Sequence, residues 1–428
     1  MKTDEMISKL NSDYFDMELA YLYGGSRLSY QKKRYEAAVN RFCELFPCDD
    51  DIRLFSAPGR TELGGNHTDH QCGCALAAAV SLDMAAVVSF NDSGKIRLYS
   101  EGFGMSEVDV CKTDPDPDEY GTTAALIRGI NAGMRERGIN TCGFDAYTVS
   151  DVPGGSGLSS SAAFETLIGT IISLSAGSPL SPAVIAKIGQ YAENRYFGKS
   201  CGLLDQAVCA SGGLVFLDFR DSAAPVIQSF DFDFEKAGYC VCITDTKGSH
   251  SDMTEDYTAV PGEMRLVAEY FGKSVLREVD RQDFLNALPS LHGKMSDRAI
   301  LRAAHFFDEN QRAVLQAQAL QDNDVERFIA LYKSSARSSS ELLQNLYSSA
   351  HPDRQGITLG IMLSRMILGE DCPVRVHGGG FAGTVQAIVP TDKAELYAEK
   401  MDEFFGSGSC SAVRIRPTGG AELRRSEG

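Results

Sequence analysis

Basic residues are in short supply: 41 Lys and Arg stand against 58 Asp and Glu, a formal charge of −17 with a pI near 4.9. A surface this negative excludes gripping a nucleic-acid backbone or an anionic membrane face by bulk charge. Any anionic ligand must then be held by a local device. Long apolar runs are missing as well. The longest apolar-leaning stretch, Cys72 to Phe90, is interrupted by Gly73, Asp83 and two serines and makes a poor membrane span. Met1 to Lys9 lacks the apolar core of a secretory signal. The expectation is a soluble, cytoplasmic protein, monomeric or homodimeric, with no nucleic acid and no membrane among its partners. No CxxC pair occurs among the 12 cysteines, and no His stands at zinc-like spacing from the C-x-C pairs Cys72/Cys74 and Cys240/Cys242. On a strand, i and i+2 share a face, so these thiols are expected to pack, reduced, rather than to ligate.

What remains is ordinary globular chemistry. The 428 residues are 43% hydrophobic and 23% charged, enough for a sizeable core, and about 150 residues per domain suggests two or three domains. Residues 1–50 read as a helical, polar extension, with Tyr35, Val39, Phe42 and Phe46 at helical spacing. Short strands are expected at 52–55, 75–80, 84–90, 96–99 and 108–111. A helix at 120–137 and a strand at 143–150 lead to helices at 160–176 and 181–197. Strands follow at 213–219, 225–232 and 239–245. A mainly helical stretch at 255–367 is clearest over Arg302–Ala319, and the end reads strand, loop, strand, helix, strand. Neither a repeat nor a long linker marks a boundary; the division expected is 1–50, 51–215 and 216–428.

Three glycine-bearing stretches carry the chemistry. The middle one, Pro153 to Ala163, includes Gly155, Ser156, Gly157, Leu158, Ser159, Ser160 and Ser161, and runs from a predicted strand into a predicted helix. Glycines let backbone N–H groups approach a ligand, and a helix start adds partial positive charge, which makes an anion cradle without basic side chains. A flexible turn with a serine N-cap is the plainer alternative. Gly198-Lys199-Ser200 and Gly272-Lys273-Ser274 resemble the tail of a P-loop, but Glu193 and Val267 stand where its first glycine is required. Gly378 to Gly383 satisfies G-x-G-x-x-G, yet a strand-like run follows it, which rejects a dinucleotide fingerprint and suggests a tight turn between strands. The first stretch, Ala57 to His70, packs Arg60, Asn66, His67, Asp69 and His70 around paired glycines. That density suits a polyhydroxylated ligand. A polar surface loop is one alternative and metal ligation by His67, Asp69 and His70 another, although their spacing is loose for one ion.

Taken in order, APGR…G-x-H-T-D, P-x-G-x-G-L-S-S-S-A and G-G-G-F-x-G resemble the three motifs of the GHMP small-molecule kinases, and His67-Thr68-Asp69 points to the galactokinase branch. Cys201-Gly202-Leu203-Leu204-Asp205-Gln206 is similar to that branch's C-G-x-x-D-Q segment. The resemblance implies an α/β (α+β) two-lobed fold, with an N-terminal lobe like ribosomal protein S5, a ferredoxin-like C-terminal lobe and a cleft between them. It further implies ATP as co-substrate, bound by Gly155 to Ser161, and Mg²⁺ held by Ser161 and Glu193. Asp205 would orient or accept the proton of an anomeric hydroxyl, with Arg60 as its catalytic partner. Asn66, His67, Thr68, Asp69, Gly202, Asp205 and Tyr257 would contact the sugar.

The chain departs from the branch at one place that matters. Galactokinases usually carry Asn, Leu, Ile, Gly, Glu where Glu62, Leu63, Gly64, Gly65 and Asn66 stand, so an amide replaces a sugar-facing carboxylate. His377 and Ala382 are further departures. The expected activity is therefore a sugar-1-kinase for galactose or a close relative. The alternatives are a non-catalytic sugar and ATP sensor, or a kinase of another GHMP branch acting on galacturonate, N-acetylgalactosamine, arabinose or mevalonate.

Overall fold

The computed structural model describes residues 1–46, 51–154, 157–177, 179–248 and 253–424. Three helices come first: α1 (Thr3–Leu10), α2 (Asp16–Tyr23) and α3 (Leu28–Leu45). There follow β1 (Ile52–Gly64), β2 (Cys74–Asn91), β3 (Lys95–Ser100), β4 (Gly104–Asp109), α4 (Thr123–Arg135) and β5 (Gly143–Ser150). Next are α5 (Ser160–Ser175), α6 (Pro182–Ala192), α7 (Leu204–Ser211), β6 (Leu214–Asp218), β7 (Val226–Phe230) and β8 (Tyr239–Asp245). A helical run, α8 (Thr254–Tyr270), α9 (Arg281–Leu291), α10 (Asp297–Gln321), α11 (Val325–Ser338) and α12 (Gly356–Leu368), precedes β9 (Val374–His377) and β10 (Thr384–Pro390). The described chain closes on α13 (Ala394–Phe405), β11 (Cys410–Val413) and β12 (Ala421–Glu422).

The strands form two sheets. The larger runs β12-β1-β2-β5-β3-β4, with β6 added to β2 and β7 to β6; the smaller runs β11-β8-β10-β9. Within the larger sheet β3 and β5 are parallel. It therefore takes strands from both sides of residue 215. Period-two alternation buries both of its faces. On β2, Ala86 and Val88 join a core with Ile127, Leu167, Ile168 and Ile188 of α4, α5 and α6. Ala85 and Val87 face the other way, into Leu19, Tyr35, Val39 and Phe42 of the N-terminal helices. Tyr35, Val39 and Phe42 are fully buried, each contributing about 1.5–3 kcal/mol of transfer free energy. The helical spacing read from the sequence is thus the seam that docks the extension. The smaller sheet packs Val374, Val376, Val385 and Ala387 against Tyr397 and Met401 of α13. A shared core joins the two sheets, with Leu76, Ala78 and Val80 meeting Val241, Ile243 and Ile388.

Two expectations about strands need correction. Residues 75–80 and 84–90 are one continuous strand, and residues 57–64, expected as loop, are the second half of β1. Pro58, Gly59 and Gly64 mimic a loop because they sit at the two register shifts of the β1–β2 pair, Pro58/Arg60 and Glu62/Gly64. The thiols follow expectation at ten positions, which are free, while Cys43 is disulfide-bonded. No helix among the described residues is long and apolar enough to cross a membrane.

Candidate active site

Arg60 leaves β1 just past the first bulge, and Asp205 lies in the first turn of α7. Arg60 Nε donates to Asp205 Oδ1 at 2.8 Å. Its Nη1 donates to the carbonyl of Gly157, and Ser159 Oγ donates to Asp205 Oδ2. The stretch expected to bind phosphate is fastened to β1 beyond these side chains: Arg60 N donates to Leu158 O at 3.0 Å. A Cβ at Gly59 would stand 2.8 Å from that same carbonyl, so the approach requires glycine. Ser159, which caps α5, has a left-handed backbone (φ 59°), a costly conformation for a non-glycine residue, held here by its contact with Asp205. Leu158 is buried in the core between the sheets and anchors the loop. Ser160 is half-buried at the helix start, and Gly155 and Ser156 lie outside the described residues. Burial pushes the Asp205 carboxyl up, but the Arg60 charge and the hydrogen bonds from Arg60 and Ser159 outweigh it and leave the group below the usual carboxylate range. The Asp205 side chain is 35% exposed and Arg60 11%. The acid is partly open to solvent while its partner is largely covered.

Ser161 Oγ stands 3.4 Å from Glu193 Oε1. Lys199 Nζ donates to the same oxygen at 3.0 Å, and Gln206 Nε2 to Glu193 Oε2 at 2.8 Å. The same Gln206 amide reaches Glu165 Oε2 at 3.0 Å. Burial, then the neighbouring Glu193 charge, push the Glu165 carboxyl well above its usual range. A hydroxyl and a carboxylate converging are a donor set suited to Mg²⁺, which takes oxygen ligands, binds through one or two carboxylates and draws the rest of its shell from phosphates and water. Among the described residues no group of three or more His, Cys, Asp or Glu could hold a metal. Glu165 and Gln206 were not assigned roles from the sequence. The signal for Glu165 was there: it falls four residues after Ser161, on the same face of α5.

The residues expected at the sugar divide. Gly202 lies beside Asp69, whose Oδ2 would be 3.4 Å from a Cβ at that glycine. His67, left-handed at φ 58°, brings Nε2 to 2.9 Å from Gly379 O, and burial lowers it to about 4, keeping the imidazole neutral. Tyr257 donates its hydroxyl to Gly380 O at 2.8 Å and sets its ring edge-on to Phe381. Thr68 turns inward instead, donating to Gly65 O and Cys74 O at 2.8 and 2.6 Å. It staples the loop. Asn66 is 1% exposed: its Nδ2 donates to Glu62 Oε1 at 3.0 Å and Gly378 O at 2.7 Å, and its Oδ1 accepts from Asn345 Nδ2 at 2.9 Å. The amide and carboxylate of the family's pattern are therefore both present with their positions exchanged, and they hydrogen-bond each other. Arg375 Nη2 donates to Glu62 Oε1 at 2.9 Å, yet burial still raises the Glu62 carboxyl to about 7.

Sequence reading missed the support under this loop. Glu309 of α10, fully buried, accepts from Gly65 N at 3.0 Å and Ser335 Oγ at 2.6 Å, and His305 Nε2 sits 2.9 Å from Asn66 O. Both lie on the inward face of an amphipathic helix, four residues apart, a legible signal. Asn345 offers no such signal. All three glycine-bearing stretches meet at His377. Its ring nitrogens lie 2.9 Å from Thr61 Oγ1 and from Thr384 Oγ1, and a Cβ at Gly157 would come within 3.3 Å of Nδ1. The turn at Gly378–Gly383 does join two antiparallel strands, β9 and β10.

Comparison with known proteins identifies the family. Residues 124–213 match the GHMP kinases N terminal domain, and residues 40–90 match the galactokinase galactose-binding signature. The galactokinase of Glaesserella parasuis serovar 5 is 31% identical over 355 residues, 81% of this chain and 88% of that protein. That of Actinobacillus pleuropneumoniae serotype 3 is 30% identical, covering 85% of this chain and 91% of the relative. The fold is shared with the crystal structure of Lactococcus lactis galactokinase complexed with galactose, at a TM-score of 0.74 and 23% identity, over 91% of this chain and 99% of that one. The chain belongs to the galactokinase family of GHMP kinases, and with it to the ATP-dependent phosphotransferases.

Proposed function

We propose that this protein transfers the γ-phosphoryl group of ATP to the anomeric hydroxyl of galactose or a close relative, giving the sugar 1-phosphate and ADP. The observation that carries the reading is the Arg60–Asp205 pair, 2.8 Å apart and seated against the carbonyl of Gly157 in the phosphate loop. The names of the relatives support galactose as the first substrate to try. Phosphoryl transfer needs position and charge neutralisation more than covalent help. Backbone N–H groups of the loop and the start of α5 would face the phosphates, which lets an acidic protein hold a polyanion. Ser161 and Glu193 would hold Mg²⁺, which would supply positive charge to offset that of the phosphates. Asp205 stays ionised and accepts the hydrogen bond of the anomeric hydroxyl. As that oxygen bonds to the γ-phosphorus, the bridging P–O bond breaks, its electron pair leaves with ADP, and the hydroxyl proton passes to Asp205. A carboxylate held below its usual range is a weak base, suited to aligning the hydroxyl and taking the proton late. Arg60 neutralises charge on the transferring group. His67, Asp69, Gly202 and Tyr257 would line the sugar site, with Asn66 and Thr68 shaping the loop behind it. The reading includes a cytoplasmic location, in keeping with the ten free thiols.

An ADP-release screen over free hexoses, hexuronic acids, pentoses and N-acetylhexosamines tests this. Turnover should be highest with galactose or a relative altered at one position. Sugar binding with no ADP release would instead make the protein a sensor.

A further inference from the structure

Arg34 sits in α3, outside every motif, and its side chain is 5% exposed. Its Nη1 donates to Asp83 Oδ1 at 2.6 Å and lies 3.2 Å from Asp151 Oδ2. Its Nη2 donates to the carbonyls of Asp83 and Val149, each at 3.1 Å. One turn earlier, Tyr30 donates its hydroxyl to Asp151 Oδ1 at 2.9 Å. Asp151 N in turn donates to Asp83 O at 2.8 Å. Asp83 is the register partner of Pro58, two residues before Arg60, and Asp151 stands two residues before Pro153, where the phosphate loop begins. Helix α3 thus grips, at one point, the backbone segment paired with the Arg60 strand and the segment that leads into the Gly157–Ser161 stretch. The two segments meet again beyond the grip, where a Cβ at Gly59 would touch Val152 at 3.2 Å and Leu158 O at 2.8 Å.

We propose that the N-terminal extension is a working part of the kinase, with Tyr30 and Arg34 as positioning residues that fix the base of the phosphate loop against the Arg60 strand and so set affinity for ATP. The proposal rests on the reading of that loop as the ATP site. Pairing with Arg34 also offsets a carboxylate two residues before a loop that would receive a polyanion.

The test uses the full chain, with Tyr30→Phe, Asp151→Asn and the double variant. Arg34→Ala removes a buried partner and risks unfolding, whereas Tyr30 is 45% exposed. KM for ATP and for the sugar, the affinity for the non-hydrolysable analogue adenylyl imidodiphosphate with Mg²⁺, and Tm are measured on each. Tyr30→Phe should raise KM for ATP and the analogue Kd about 3-fold, the scale of one hydrogen bond. Asp151→Asn should raise both about 10-fold, with the sugar KM unchanged within about 2-fold, and the two changes should be non-additive in the double variant. Wild-type nucleotide affinity, or a fall in Tm with both KM values moving together, would reduce the contact to a structural one and overturn the proposal. Protection of Leu158–Ser161 amides from hydrogen exchange by the analogue in the wild type tests the loop assignment separately. Its absence would overturn that assignment and this proposal with it, whereas protection with unaltered variants would overturn the proposal alone.

Discussion

Asp83 and Asp205 are each hydrogen-bonded to arginine and serine, and each is held below the usual carboxylate range against the upward push of burial. Their surroundings differ. Asp83 is fully buried, and its oxygens accept from Arg34, from Arg416 at 2.9 Å, from Tyr23 at 2.5 Å and from Ser56. It ties the N-terminal helices, the β1–β2 pair and the segment after β11 into one knot. Asp205 has one donor on each oxygen, Arg60 and Ser159, and a 35% exposed side chain, so acceptor capacity is left over. An Asp–Arg pair is structural or chemical according to how much of the carboxylate its neighbours leave free.

Exchanging the comparison for kinetics should separate the two. Asp205→Asn should lower kcat by about 10²–10⁴, the usual span for a positioned acid–base group, with Tm and nucleotide affinity kept; retained turnover would make Asp205 another structural aspartate. Asp83→Asn should do the reverse, costing about 3–5 kcal/mol of stability by leaving buried arginines short of a partner, as read by denaturant titration, with kcat near normal in the folded fraction. Because the folded Asp83 carboxyl lies below its unfolded value of 3.8, its contribution is full above that pH and is lost as pH falls through the folded value. The variant's acid unfolding limb should accordingly be shallower. Ser161→Ala should raise the Mg²⁺ needed for half-maximal activity by about 10-fold, the loss typical of disturbing a metal site, and an unchanged magnesium requirement would remove Ser161 from that role. The smallest effect concerns the exchanged pair. Asn66→Glu alone sets two carboxylates side by side at Glu62 and should raise KM for every sugar. The double variant Glu62→Asn with Asn66→Glu restores one charge and one amide and should shift the sugar ranking, measured as kcat/KM ratios.

Much of this was legible in the residues. Arg60, Ser161 and Asp205 each stand in a short motif, and Glu193 lies twelve residues before Asp205. Local chemistry is what a sequence records well. Residues 57–64 misled because bulge glycines inside a strand look like loop glycines. Only the partner strand distinguishes them, through cross-strand pairing that leaves no local mark. The surroundings of Asn66 were illegible for the same reason: Asn345 reaches it from 279 residues away, and Arg375 reaches its partner Glu62 from 313. The Asp83 knot joins residues from 23 to 416, so no window of sequence contains it.

On the proposed function, the exposed half of the Arg60–Asp205 pair directs phosphoryl transfer to an anomeric hydroxyl. Phosphorus NMR of the wild-type protein with MgATP and galactose should then show a resonance of a sugar phosphate coupled to the anomeric proton, growing as ATP is consumed and absent with Asp205→Asn. Inorganic phosphate as the sole new species, or a phosphate on any other carbon of the sugar, would overturn that function.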